Sequence, residues 1–356
     1  MDETVLLSIV IPTFNRGKIL SNSLDNLILD VNELSDNQKV EIIISDNCSK
    51  DDTNLIVKNL INDNPHLLLK YNKNHKNLGF DKNCIVGASL STGKFIWFLS
   101  DDDAIKSGGL NYILTNIQKN LGLKFIFLNY TLKTPGWAEA SPLYLEEDII
   151  VDHNELIITT KLAFSCVTSC IFQRKAYLSV DINNYIGSFW IHMYLVRDLA
   201  ILGKSLILSN PMFTFKRPSL MDSRKSANEN KITKIEFFID AHINAIRYAS
   251  TFNSAYSARA KKKAFRLIWD QNLNQIVSYK LTVDKYDLNE ILFIYTEMKF
   301  YYKWKITFWM IHIPILFSSK HVAKFYFWFR LYFAKSKQFV KKYLPNKLVI
   351  IYKKIS

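Results

Sequence analysis

Apolar residues follow two rhythms along the first 130 positions. Near-continuous runs occur at 6–14 (LLSIVIPTF), 40–47 (VEIIISDN), 67–72 (LLLKYN), 94–103 (KFIWFLSDDD) and 123–132 (LKFIFLNYTL). Each is rich in β-branched or aromatic residues, the pattern of strands buried on both faces. Between them the spacing changes to three and four, as at Ile19, Leu20, Leu24, Leu27 and Ile28. The stretch 49–61 (SKDDTNLIVKNLI) opens with cap-type residues ahead of an amphipathic helix. Further helices are predicted near 82–90 and 107–120. Strands alternating with helices predict an α/β fold: right-handed βαβ units in a mostly parallel, Rossmann-like sheet with helices on both faces.

The pattern loosens after residue 132. A helix is predicted near 153–163, and 205–219 (SLILSNPMFTFKRPS) reads as a strand followed by a basic loop. From about 232 to 299 the spacing is helical. The expected divisions are 1–220, a helical extension over 221–298, and a tail over 299–356.

Polar residues gather where the predicted strands end: Thr13-Phe14-Asn15-Arg16, Asp46-Asn47 and Asp101-Asp102-Asp103. In open α/β sheets, ligands bind beyond the carboxyl ends of the strands. Three adjacent carboxylates repel one another unless something neutralises them. A hard divalent cation, Mg²⁺ or Mn²⁺, would do so and would leave coordination positions for phosphate oxygens. An Asp-rich turn capping the next helix is the plain alternative. No G-x-G-x-x-G or GxxxxGK[ST] follows a strand, so dinucleotide and P-loop readings lose ground. Asp46 suits hydrogen bonding to a base or ribose. Gly79 permits close backbone approach, and Lys82 offers a cation to a base or phosphate.

Taken in order, LSIVIPTFNR, VEIIISDNCSKDDT, NLGFDKN and GKFIWFLSDDDAI resemble the N-terminal half of family 2 glycosyltransferases of the GT-A fold. The likeness is strongest to the abequosyltransferase-like branch that builds O-antigen and capsule chains. It is close over 5–130 and looser to 220. The resemblance implies a bacterial transferase moving one sugar, with inversion, from a UDP-type nucleotide sugar to a polyprenyl-diphosphate-linked oligosaccharide. It implies that Pro12, Thr13, Asn15 and Arg16 form the first nucleotide-binding loop, with Asp46 and Lys82 near the base. The usual L-D-x-D-D pattern is here Leu99-Ser100-Asp101-Asp102-Asp103. Asp101 then falls near the ribose, Asp102 becomes the metal ligand, and Asp103 supports the metal or caps a helix. Ser100 departs from the pattern.

An inverting transfer needs a base for the acceptor hydroxyl. The stretch matching the family's usual acidic motif is Gly187–His192, which contains no acid. His192 is its only titratable group and is the first candidate, against a plain role as a packed core histidine. Asp198 and Asp181 are further candidates. Arg217 suits phosphate by its forked donors, although a solvated basic loop explains it equally.

Charge changes the picture at the far end. The net charge is +14. Residues 299–356 hold 13 Lys and Arg, no Asp or Glu, and 17 aromatic residues, while the rest of the chain is nearly neutral. This predicts an anionic membrane surface as partner. Nucleic acid is not expected as a partner, although basic-plus-aromatic sequence can also bind it. A helical core extension is the third reading. No apolar stretch reaches the ~18 residues of a spanning helix, and the acidic start MDET is unlike a signal peptide. The four cysteines form no CxxC pair, which favours reduced, buried thiols. The expected location is the cytoplasm, peripheral to the inner membrane face. A nucleotide-sugar-binding module without catalysis remains open, because of the missing acid.

Overall fold

The computed structural model describes residues 5–35, 40–133, 139–216, 247–248 and 250–268, with 292, 295, 299, 310, 313–319 and 321–322. The chain divides into two compact units: Met1–Lys231 with Asn244–Ile268, and Ile232–Ile243 with Trp269–Ser356. The stretch 244–268 thus belongs with the first unit.

In chain order the first unit contains β1 (Leu7–Thr13), α1 (Gly17–Asn32), β2 (Val40–Asp46), α2 (Thr53–Asp63), β3 (Leu68–Lys73), α3 (Phe80–Ser89), β4 (Phe95–Phe98), α4 (Gly109–Lys119) and β5 (Phe125–Lys133). There follow β6 (Ile149–Val151), α5 (His153–Thr160), β7 (Cys170–Gln173), α6 (Arg174–Tyr177), α7 (Ile191–Ala200) and β8 (Ser205–Lys216). A further helix covers 258–268. The eight strands form one sheet in the order β3-β2-β1-β4-β7-β5-β8-β6.

The strands β3, β2, β1 and β4 are mutually parallel, as the alternation predicts. The short strand β7 then inserts antiparallel between β4 and β5. Every residue of β1, β2 and β4 is buried. The edge strand β3 is not. From β1 the chain steps outward to β2 and β3, then returns across both to β4. Right-handed crossovers place α1 and α2 on one face and α3 on the other. Gly87 lets α3 lie close against the sheet: a Cβ there would sit 2.5 Å from Val10 Cγ1. The reversal leaves a crevice between the carboxyl ends of β1 and β4, the usual ligand position in such sheets.

One support for this crevice comes from far along the chain. Asp30, near the end of α1, accepts the backbone N–H groups of Gly108 (3.0 Å) and Leu110 (3.1 Å) at the start of α4. It therefore caps a helix that begins 79 residues later, at Gly109. Asp30→Ala would leave these donors unpaired and is expected to cost about 1–2 kcal/mol. Urea unfolding should show a lower midpoint at unchanged slope.

In the second unit, a short helix covers Ile313–Phe317 with Ile315 and Leu316 buried. The Tyr295 ring meets Phe317 edge-on at 5.9 Å, and Lys299 Nζ lies 5.4 Å from the Tyr295 ring centre. Among the described residues, no helix is long and apolar enough to cross a membrane.

Candidate active site

The loops after β1 and β4 meet through their polar side chains. Thr13 Oγ1 donates to Asp101 Oδ2 (2.8 Å). The Arg16 guanidinium forks between two carboxylates, pairing with Asp101 and, at 2.6 Å, with Asp102 Oδ2. Ser100 Oγ donates to Asp102 Oδ1 (2.6 Å). A serine at this position supports Asp102, where an aspartate would repel it. Pro12 is buried within β1. Asn15 adopts a left-handed φ of 52°. Its N–H donates to Ser49 Oγ and its Oδ1 accepts from Lys50 N, both at 2.8 Å, tying the first loop to the second.

The three aspartates have different surroundings. Asp101 is buried, and its pKa rises to about 6, from burial and the Asp102 charge against the pull of Arg16. Asp103 is buried and accepts from Thr168 Oγ1 (2.6 Å). Burial, with the charges of Asp102 and Asp101, lifts it to about 7 against that hydrogen bond. Asp102 is 46% exposed. Burial of its inner side works against ionisation, but Arg16 and Ser100 outweigh it and hold the carboxyl below the usual range. At neutral pH, Asp102 is therefore the firmly ionised, solvent-facing member. Asp103 does not cap α4, whose N-terminus Asp30 holds. Among the described residues, no group of three His, Cys, Asp or Glu side chains converges as a metal cage. The donor set still suits a hard cation. Asp101 and Asp102 already share one positive group, the Arg16 guanidinium, and a cation with two carboxylates needs further oxygens from a ligand such as a diphosphate.

Asp46 is fully buried. Its Oδ1 accepts from Ser49 N (2.7 Å) and its Oδ2 from the Tyr71 hydroxyl (2.7 Å). It holds the second loop against β3. Lys82 is exposed on the first turn of α3. Arg217 lies outside the described residues. A cluster of asparagines, which the sequence did not single out, joins these loops. Asn47 Nδ2 donates to Asn77 Oδ1 (2.7 Å), and Asn47 Oδ1 accepts from Leu78 N (2.8 Å). Asn74 Nδ2 donates to Asn83 Oδ1 (2.8 Å), and Asn83 Nδ2 donates to Ser45 O (2.8 Å). The signal was the run of asparagines at 72, 74, 77 and 83, from the end of β3 into the first turns of α3.

His192 lies in the first turn of α7 and is 4% exposed. Its Nε2 is 3.0 Å from Ser165 O. A carbonyl only accepts, so Nε2 carries the hydrogen and Nδ1 presents a bare lone pair. Nδ1 is buried with no hydrogen-bond partner. Burial pulls the ring's pKa down to about 4, against the Ser165 bond, so the imidazole is neutral at pH 7. The segment 163–169 links this ring to the aspartates: Ser165 holds His192, and Thr168 holds Asp103 and Ser100 N (3.1 Å). Asp198 lies further along α7, engaged by Arg197 Nε (2.6 Å) and the Tyr185 hydroxyl. Arg197 in turn pairs with Thr251, and its carbonyl accepts from the Tyr256 hydroxyl (2.6 Å). Arg197 thus ties α7 to the 250–268 stretch, and Asp198 holds the Arg197 guanidinium. Asp181 caps a short 3₁₀ turn at Ile182–Tyr185 through Asn183 N (3.3 Å). Cys84, Cys166 and Cys170 are buried, and all four cysteines are free.

The buried neutral ring has a consequence for stability. Unfolding returns His192 to an ordinary pKa near 6.5, so between pH 6.5 and about 4 the unfolded chain binds a proton that the folded chain refuses. The stability is fully present above pH 6.5 and is lost as pH falls toward 4. The full effect is on the order of 3 kcal/mol. Chemical denaturation of wild type and His192→Asn across this window should show wild type losing stability more steeply.

The matched region coincides with this geometry. Residues 8–180 match the family model for Glycosyl transferase family 2. The chain carries a family 2 glycosyltransferase domain. Among curated relatives, the Campylobacter jejuni GalNAc(5)-diNAcBac-PP-undecaprenol beta-1,3-glucosyltransferase is 28% identical over 192 residues, 53% of this chain and 59% of that enzyme. The chain thus spans less than two thirds of that relative. Abequosyltransferase RfbV of Salmonella typhimurium is 24% identical over 310 residues, 80% of this chain and 88% of RfbV. Among solved structures, S. aureus TarS 1-349 in complex with UDP-GlcNAc superposes with a TM-score of 0.62 at 17% identity. That match covers 84% of this chain and 81% of TarS 1-349. The fold is GT-A, with a parallel sheet entering a mixed one.

Proposed function

We propose that this domain transfers one sugar from a nucleotide-sugar donor, of UDP type, to a hydroxyl of a polyprenyl-diphosphate-linked oligosaccharide in bacterial surface polysaccharide synthesis. The observation that carries this is the crevice between β1 and β4, where Thr13, Arg16, Asp101 and Asp102 converge within a family 2 domain. The lipid-linked relative and the UDP-GlcNAc-bound structural neighbour support the choice of substrates.

Asp102, with Asp101 beside it, would hold Mn²⁺ or Mg²⁺. Such a cation neutralises charge building on the departing diphosphate. Arg16 contacts both carboxylates and lies beside that charge. Asp46 and the asparagine cluster keep the second and third loops in place for the nucleoside, with Lys82 and Arg217 as further cations toward it. His192 Nδ1 takes the acceptor proton; Ser165 fixes the tautomer that leaves this nitrogen unprotonated, and its burial means that the acceptor must reach it by displacing the side chains that cover it. The reaction inverts the anomeric centre. A panel of nucleotide sugars, screened for Mn²⁺-dependent thermal stabilisation, tests the donor class. A ligand at a hundred times its Kd adds about 2.7 kcal/mol to the folded state. No shift with any nucleotide sugar would count against the reading.

The tail over 299–356 is assigned to an anionic membrane surface on the cytoplasmic side, from its 13 basic and 17 aromatic residues. Each Lys or Arg near such a surface adds about 1 kcal/mol at low salt. The full chain should therefore sediment with vesicles containing phosphatidylglycerol. It should release in high salt and not bind pure phosphatidylcholine. Equal binding to both vesicles would contradict this assignment.

A further inference from the structure

Asp81 belongs to α3, on the donor half of the domain, yet its carboxylate is occupied by the other half. Its Oδ2 accepts the backbone N–H groups of both Gly187 and Phe189, each at 2.9 Å. These residues form the turn leading into α7, and both have left-handed backbone: Gly187 at φ 87° and Phe189 at φ 57°. Glycine adopts such a φ freely, but phenylalanine does not. A strained non-glycine residue persists only where its surroundings over-determine it, and such strain gathers at working sites. Asp81 supplies that constraint from more than a hundred residues away. Ser188 Oγ adds a second tie by accepting from Trp190 N (3.1 Å). The carbonyl of Trp190 then accepts the first helical bond, from Met193 N (2.8 Å). The path from Asp81 to the ring of His192 is therefore one turn of backbone and one turn of helix. Asp81 Oδ1 is buried with no partner. The cost of leaving this oxygen unpaired is carried by the two bonds to Oδ2.

We propose that Asp81 is a positioning residue: it holds the 187–190 turn, and through it the first turn of α7, in the geometry that transfer requires. This rests on the transferase reading given above, with His192 as the base.

Four variants test it: Asp81→Ala, Asp81→Asn, Phe189→Gly, and the Ala–Gly double variant. Asn can place its carbonyl oxygen where Oδ2 lies and should keep kcat within about threefold, because both N–H groups stay paired. Ala should lower kcat for transfer by about tenfold or more, since small displacements of a reacting group are costly. The affinity for UDP with Mn²⁺ should stay unchanged. Phe189→Gly removes the Cβ penalty and should restore at least part of kcat in the Ala background. If Asp81→Ala does not fold, Asp81→Ser takes its place, being too short to reach both N–H groups. The nitrogen resonances of the His192 ring supply a readout independent of activity. They should shift in Asp81→Ala and move back in the double variant. Ring signals that stay in place in Asp81→Ala overturn the inference, as does a wild-type kcat. Loss of thermal stability without loss of kcat also overturns it, by reducing Asp81 to a packing role. A wild-type protein that transfers nothing from any donor overturns the function proposed above, not the coupling that the ring signals report.

Discussion

Replacing Asp102 with alanine is expected to lower the rate of sugar transfer by about a hundredfold or more, or ~2.7 kcal/mol of transition-state stabilisation. Asp102 is the one member of the aspartate run that is both exposed to a ligand and held ionised, by Arg16 at 2.6 Å and Ser100 at 2.6 Å. The neighbouring carboxyls are buried and protonate more readily. Asp102→Asn keeps the shape and removes the charge, so it should fail nearly as badly. Both variants should lose the Mn²⁺-dependent part of nucleotide binding by calorimetry. The fold should survive, because a half-exposed ion pair contributes only about 0–1 kcal/mol. An Asp102→Ala protein that transfers at the wild-type rate removes the metal assignment.

The second large effect is expected at His192. Removing a general base typically costs 10²–10⁴-fold, so His192→Ala should transfer at about a hundredth of the wild-type rate or less. Nucleotide binding should be unaffected, since the residues proposed to hold the nucleotide lie on the loops after β1, β2 and β4 and at the start of α3, away from α7. The reasoning is geometric: the Ser165 carbonyl commits the hydrogen to Nε2 and leaves Nδ1 free. The low pKa makes the ring a weak base but keeps it unprotonated throughout the neutral range. Protonation of this ring should therefore not lower the rate until the pH approaches about 4, so any fall near pH 6 belongs to Asp101. His192→Gln at the wild-type rate would return the role to another group. Asp198 is poorly placed to take it, with its carboxylate spent on Arg197 and Tyr185.

Much of this was legible in the sequence, and the reason is local. The runs at 7–13, 40–46 and 95–98 are largely apolar on both faces, short and rich in β-branched or aromatic residues, as strands inside a covered sheet are. Their polar ends then mark the crevice without any tertiary information. The identity of each aspartate's partner was not legible. That Arg16 forks across Asp101 and Asp102 depends on two loops 85 residues apart meeting across β1 and β4. In sequence Asp103 reads as support for the metal or as a helix cap, the latter because helices after strands often begin with such a residue. Asp30 fills that role instead, from an earlier helix. The antiparallel insertion of β7 was equally hidden, since four residues of CIFQ carry no direction. The asparagine cluster and the Asp81 clamp share one cause. Their value lies in backbone groups whose positions emerge only when the sheet has closed.

The most direct measurement is transfer itself. The purified chain would be incubated with a panel of UDP-, GDP-, dTDP- and CDP-sugars, a polyprenyl-diphosphate-linked oligosaccharide and Mn²⁺, and the lipid product analysed by mass. Growth of the acceptor by one sugar is expected, with release of the nucleoside diphosphate, loss of product on chelation, and none from Asp102→Ala. A folded chain that binds a nucleotide sugar with Mn²⁺ yet elongates no such acceptor would contradict the transferase reading and favour a binding module.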